Sequence, residues 1–169
     1  MVSAALNSRA RLRAGAAGRA AGVVAVVIAI DQVTKHTLGT WIAPDQTRTV
    51  IPGVLKLVYE RNTGVAFSAL SGSGGLVYVP IALALVALVA LLLARPGRPW
   101  LWLPTGMLIG GALSNLIDRI ANGSVIDFIK LPDWPAFNLA DVSITFGAIA
   151  LALVIELGAR RVAKDDGPG

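Results

Sequence analysis

Residues 111–141 read Gly111-Ala-Leu-Ser-Asn115-Leu-Ile-Asp118-Arg119-Ile-Ala-Asn-Gly-Ser-Val-Ile-Asp127-Phe-Ile-Lys-Leu-Pro-Asp133-Trp-Pro-Ala-Phe-Asn138-Leu-Ala-Asp141 and hold four of the chain's ten acidic residues. An apolar run leads into the stretch from residue 100, and another follows it over 142–157. Carboxylates are costly near lipid, so a cluster of them between apolar runs marks a functional site.

Composition agrees with a lipid setting. Of the 169 residues, 55% are hydrophobic and 15% charged, against about 25% charged in a soluble domain. Mean hydropathy is +0.70. Several apolar runs approach the length that crosses a bilayer. The net charge of +5 does not point to nucleic acid, because the basic residues sit at the ends of apolar runs and form no stripe with aromatics. The chain has no cysteine and one histidine, His36. It therefore offers no thiol nucleophile, no disulfide and no Cys- or His-rich metal site, and no cofactor motif is present.

Four spans are predicted: 17–38, 76–94, 100–117 and 142–157. The first follows Arg9, Arg11, Arg13 and Arg19, and ends with Asp31 and Lys35. Those two are four apart and share a helix face, where they can pair. The segments 1–19 and 159–169 read as flexible cytoplasmic tails of a single domain, 1–169. Residues 54–60 alternate, with Leu55, Leu57 and Tyr59 one way and Lys56, Val58 and Glu60 the other. This is the period of a strand. Ser71-Gly-Ser-Gly-Gly75 breaks the chain before the second span. Basic residues precede span one, join spans two and three (Arg95, Arg98) and follow span four (Arg160, Arg161, Lys164). The positive-inside rule makes that side cytoplasmic, with both termini there. The strand and the acidic cluster then meet on the extracytoplasmic face.

Asn115, Asp118 and Arg119 fall at i, i+3, i+4, so they lie on one face at the outer end of the third span. Local charge balance at a helix end explains them equally well, with Arg119 placed to pair with Asp118. Asp127 sits among Val125, Ile126, Phe128 and Ile129, which desolvate a carboxylate and raise its pKa. A strand with one outward acid is the plainer alternative. Asp141 precedes the fourth span, where Asn138 or Asp141 can serve as helix N-cap; a helix N-terminus also stabilises an anionic carboxylate. Fourteen residues separate Asp127 from Asp141, enough for a loop to fold back over Pro132 and Pro135. Two close carboxylates share a proton, and such a dyad activates water for peptide hydrolysis. In this reading Asp141 is the ionised partner and Asp127 the protonated one.

Asp31-Gln-Val-Thr-Lys35, Arg61-Asn-Thr-Gly-Val-Ala-Phe67, Gly110-Gly-Ala-Leu-Ser-Asn-Leu-Ile-Asp-Arg119, Gly123-Ser-Val-Ile-Asp-Phe128 and Phe137-Asn-Leu-Ala-Asp141, in this order, resemble the motif set of the lipoprotein signal peptidases (signal peptidase II). The resemblance covers about 20–157. It implies an integral membrane fold, mainly α: a four-transmembrane-helix bundle with a small extracytoplasmic β-sheet cradling the substrate. It implies a bacterial plasma-membrane aspartyl endopeptidase that removes the signal peptide of a prolipoprotein just before a diacylglyceryl cysteine. The family's catalytic aspartates fall on Asp127 and Asp141. Its binding or supporting residues fall on Asp31, Lys35, Arg61, Asn62, Asn115, Asp118, Arg119 and Asn138. Sensitivity to the cyclic peptide globomycin is implied as well. Ser114 departs from the family's usual Gly, a change expected to tune rather than abolish activity. From the residues alone, a small proton-coupled carrier relaying through Asp31 and Lys35, or a non-catalytic scaffold, stays open.

Overall fold

The long apolar runs form helices and the short segments between them form one small sheet. The computed structural model describes residues 2–44, 46–63 and 78–165. In chain order it places helix α1 at Val2–Trp41, strand β1 at Thr47–Ile51, β2 at Leu55–Asn62, helix α2 at Tyr78–Ala94, α3 at Trp102–Asn122, β3 at Val125–Lys130 and α4 at Leu139–Asp165. Residues 64–67 of the motif that starts at Arg61, the break at 71–75 and the first residues of the expected second span lie outside the described residues.

The helices run past the limits that hydropathy suggests. α1 starts at Val2, not residue 17, and α4 continues to Asp165. The basic segment expected to be a flexible tail is thus helical, because Ala, Leu and Arg are all strong helix formers. It is also packed: Ala16 and Ala20 are buried with Leu92 and Leu101. The Nε of Arg13 donates to the Leu93 carbonyl at 3.0 Å, one of the carbonyls left unpaired at the end of α2. α1 over Leu6–Trp41 and α4 over Leu139–Arg160 are each long and apolar enough to cross a membrane; α2 is apolar over 17 residues. α3 is 21 residues long and carries Thr105, Ser114, Asn115 and Asp118 on a buried stripe.

Polarity is inverted relative to a water-soluble protein. Asp31, Lys35, Asp118, Asp127 and Asn138 are buried, whereas Leu83, Val86, Phe146 and Leu153 stand exposed. A large apolar exterior around a polar interior suits a protein whose outer surface meets hydrocarbon.

The three strands form an antiparallel sheet in the order β1-β2-β3. β1 gives no alternation to read, because every residue in it is exposed. β2 holds an irregularity between Leu57 and Glu60, where two residues, Val58 and Tyr59, oppose the single Phe128 of β3. This bulge breaks the simple alternation read from 54–60. Lys56 pairs with Lys130, but Glu60 pairs with Asp127 and Asn62 with Val125. Asp127 and Lys130 are three apart on β3 and point to opposite faces. The bulge therefore swings Glu60 and Asn62 onto the face of Asp127, a re-aiming that such bulges commonly perform. Val58, which the alternation grouped with Lys56 and Glu60, is buried.

β3 follows α3 directly, after Gly123 ends that helix in the left-handed conformation at φ 69°. Past β3 the chain turns back at Leu131–Ala136. Phe137 then bonds Ile129 in both directions, so the entry to α4 lies along the free edge of β3. α4 is held against α3 at a close approach. A Cβ on Gly111 would lie 2.6 Å from the Ala140 carbonyl oxygen and 2.8 Å from Ile144 Cγ1. Gly111→Ala therefore displaces the first turn of α4. We expect it to destabilise the protein by about 1–3 kcal/mol despite alanine's better helix propensity, measured by thermal unfolding in detergent. An unchanged or higher melting temperature would contradict this packing.

Candidate active site

Three elements bring polar side chains to one place: α1 with Asp31, Gln32 and Lys35, α3 with Ser114, Asn115 and Asp118, and the β3–α4 segment with Asp127, Asn138 and Asp141. At its centre lies Lys35, whose ammonium is 2.6 Å from Asp31 Oδ2 and 2.6 Å from Asp118 Oδ2. It also donates to Asn115 Oδ1 at 3.2 Å. All four groups are buried. The expected Asp31–Lys35 pair forms, but Asp118 pairs with Lys35 and Gln32, not with its neighbour Arg119. Arg119 instead points an Nη1 back along α3 to the Asn115 carbonyl at 3.4 Å. A buried lysine between two carboxylates offers a better-desolvated partner than an arginine at the helix surface.

Each carboxylate here has a second duty. Asp31 Oδ1 accepts the backbone N–H of Ala140 at 2.9 Å, a donor left free by the first turn of α4. Asp31 Oδ2 also accepts the Ser114 hydroxyl at 2.7 Å. Asp118 Oδ1 accepts Gln32 Nε2 at 2.8 Å. Gln32 also donates to Ser114 Oγ at 3.1 Å. Gln32 lies outside the sequence-based site set, yet it shares a face of α1 with Asp31 and Lys35 just past the apolar run 20–30, and that spacing is the signal in the sequence that points to it. Ser114 does more than keep helices close: its hydroxyl joins α1 to α3.

Asn115 passes this arrangement on. Its Oδ1 accepts Lys35 Nζ and Asn138 Nδ2, the latter at 3.1 Å. Its Nδ2 donates to Asp141 Oδ1 at 2.8 Å. Asn138 is the N-cap of α4. Its Oδ1 accepts the Asp141 N–H at 2.9 Å, and its own N–H donates to Asp141 Oδ2 at 3.2 Å. This is the reciprocal geometry of a capping box, so capping and a special role for Asp141 coexist. Asn138 Nδ2 also donates to Asp127 Oδ1 at 2.7 Å. One carboxamide thus links the two aspartates. Asn62 completes the set by donating its Nδ2 to Asp127 Oδ2 at 3.0 Å. Arg61, one residue earlier, lies exposed on the other face of β2, opposite Ile126.

Burial raises the Asp127 carboxyl from the ordinary 3.8 to about 6, and the nearby negative charge of Asp141 pushes the same way; hydrogen bonds from Asn62 and Asn138 and the charge of Lys35 pull back. The stability tied to this carboxyl is present in full below pH 3.8 and is lost as pH rises through about 6, because the native state then holds a buried charge. Asp141 is half-buried and opens onto a cleft of about 270 Å³ walled by Leu131, Trp134, Phe137, Val142 and Phe146.

The fold and site define a helical membrane protein that presents a pair of linked carboxyl groups beside an apolar cleft. Residues 23–157 match the family model of signal peptidase (SPase) II, and the chain belongs to that family of peptidases. The lipoprotein signal peptidase of Moorella thermoacetica is 42% identical over 127 residues, which cover 75% of this chain and 85% of that protein. That of Syntrophomonas wolfei is 39% identical over 140 residues, 83% of this chain and 94% of the relative. A bacterial membrane enzyme solved at 1.9 Å superposes with a TM-score of 0.73 at 33% identity, covering 82% of this chain and 92% of its own.

Lys35→Met leaves Asp31 and Asp118 facing each other without a counter-charge. The variant is expected to lose about 3–5 kcal/mol of stability, read by unfolding in detergent. Stability equal to the parent would show that the buried ions are not acting as a unit.

Proposed function

We propose that this chain is an aspartic endopeptidase of the bacterial plasma membrane that removes the signal peptide from diacylglyceryl-modified prolipoproteins, cutting just before the lipidated cysteine. The observation that carries the reading is the Asn138 carboxamide bond to Asp127 together with the Asn138–Asp141 capping box. It ties a carboxyl with a raised pKa to a carboxylate at a helix N-terminus, and these two environments separate a proton donor from a base.

In this mechanism Asp141, favoured as the anion by the positive end of α4, takes a proton from a water molecule. The resulting hydroxide attacks the scissile carbonyl carbon. Asp127 in its protonated form donates to the developing oxyanion, and its proton later passes to the departing amine. The proton that the mechanism needs is carried by Asp127, whose carboxyl burial raises to about 6. Asn62 and Asn138 orient Asp127, and Asn115 orients Asp141. Asp31, Lys35 and Asp118 hold the three helices in register. Their closed set of contacts suits a supporting role better than a proton relay, which would require a path onward through the bilayer.

The four helices are proposed to span the membrane with both termini cytoplasmic and the sheet outside, an orientation favoured by the basic residues at 9–19, 95–98 and 160–164. A diacylglyceryl group is held in lipid by about 0.8 kcal/mol per buried methylene, so the scissile bond stays at the interface. The apolar cleft beside Asp141 faces such a substrate well, and a globomycin-like cyclic peptide would block it. Arg61 and Arg119 are proposed to meet substrate rather than to take part in the chemistry.

The test is cleavage of a diacylated prolipoprotein by purified protein in detergent. Asp127→Asn and Asp141→Asn are each expected to lower turnover by about a hundredfold or more, with folding preserved because asparagine keeps the shape. Near-parental turnover by either variant would overturn the dyad.

A further inference from the structure

The sheet carries a separate feature on the face turned away from Asp127. Lys56 and Lys130 are direct cross-strand partners, so their side chains rise from one face with Cβ atoms roughly 5 Å apart, an arrangement that is unfavourable for like charges. Among the described residues neither lysine forms an ion pair. Both line a cleft of about 390 Å³ whose other walls include Val54, Leu131, Pro132 and Asp133. Two ammonium groups and one carboxylate leave a single positive charge there.

Beside this cleft the β1–β2 turn is apolar and uncovered. Val50, Ile51 and Val54 are 51%, 49% and 54% exposed, and Trp134 on the neighbouring loop is 63% exposed. Apolar side chains with a tryptophan and flanking lysines are the composition that settles at headgroup depth. The apolar groups enter the acyl boundary, the indole sits at the interface, and the lysines reach out to phosphates.

We propose that Lys56 and Lys130 bind the phosphate of an anionic phospholipid in the outer leaflet while the β1–β2 turn rests in the acyl boundary, giving the sheet its own foothold on the membrane. This rests on the reading that the sheet lies at the extracytoplasmic surface of a membrane-spanning bundle. One phosphodiester brings the charge of the cleft to zero. A zwitterionic headgroup would add a trimethylammonium beside the lysines, so the cleft favours phosphatidylglycerol over phosphatidylcholine. The foothold would fix the height of β2 and β3, and with them Asn62 and Asp127, above the bilayer.

The test uses the full chain in a neutral detergent, mixed with phosphatidylglycerol or phosphatidylcholine of matched acyl chains. Bound lipid is counted by native mass spectrometry, so the readout does not require turnover and stays informative if the cleavage assay fails. The parent is expected to retain phosphatidylglycerol at about tenfold lower lipid concentration than phosphatidylcholine, and the Lys56→Gln/Lys130→Gln variant to lose one such lipid. The Lys56→Arg/Lys130→Arg variant keeps it, and inorganic phosphate does not displace it. If the double glutamine variant does not fold, each single glutamine variant gives the same reading at smaller amplitude. Equal retention of the two lipids by the parent, unchanged retention in the glutamine variants, or displacement by inorganic phosphate would overturn the proposal.

Discussion

A single ammonium group, Lys35, sits between two carboxylates in the interior of the helix bundle, and the rest of the site is built outward from it. Desolvating three charges is expensive, and such clusters seldom raise stability over a well-packed apolar alternative. What the cluster supplies is geometry. Asp31 binds the first-turn amide of α4, Ser114 of α3 and Lys35 of its own helix. Asp118 brings α3 to the same lysine and to Gln32. Three helices are thereby held at one level by directional bonds, in a place where apolar contact alone would let them slide.

Close backbone approach makes those bonds reachable. Gly110 would place a Cβ 2.9 Å from Val27 Cβ of α1, and Gly111 meets Ala140 of α4. Side chains as short as Asp31 and Ser114 can span the gap only because α3 carries no bulk there, in keeping with how small residues join helices in membranes. From this platform Asn115 and Asn138 extend the order to Asp127 and Asp141. Among the described residues no buried side-chain nitrogen or oxygen lacks a hydrogen-bond partner, the state in which a polar network fixes one arrangement.

Much of this was legible in the residues. The apolar runs gave the helices, the alternation at 54–60 gave β2, and the acids at 118, 127 and 141 marked the site. Prolines 132 and 135 allowed the fold-back that pairs Phe137 with Ile129. Local spacing was also enough for the Asp31–Lys35 pair. Contacts set across long sequence separations were not legible: Lys35 with Asp118, Gln32 with Ser114, and Asp31 with the amide of Ala140. β1 escaped notice because an exposed edge strand has no buried face to impose a period. The bulge in β2 escaped for a related reason, since its effect appears only against the register of β3. The helical start of α1 was hidden by arginines that read as a tail but favour a helix.

The central claim is that burial raises the Asp127 carboxyl, so that it keeps its proton up to about pH 6. The most direct measurement is a titration of the aspartate carboxyl carbons by NMR on the full chain in detergent, with Asp127→Asn used to assign the signal. A carboxyl that titrates with a midpoint near 6 and vanishes in the variant is the predicted result. A midpoint in the ordinary carboxylate range below about 4, with no signal near 6 removed by the substitution, would contradict the account.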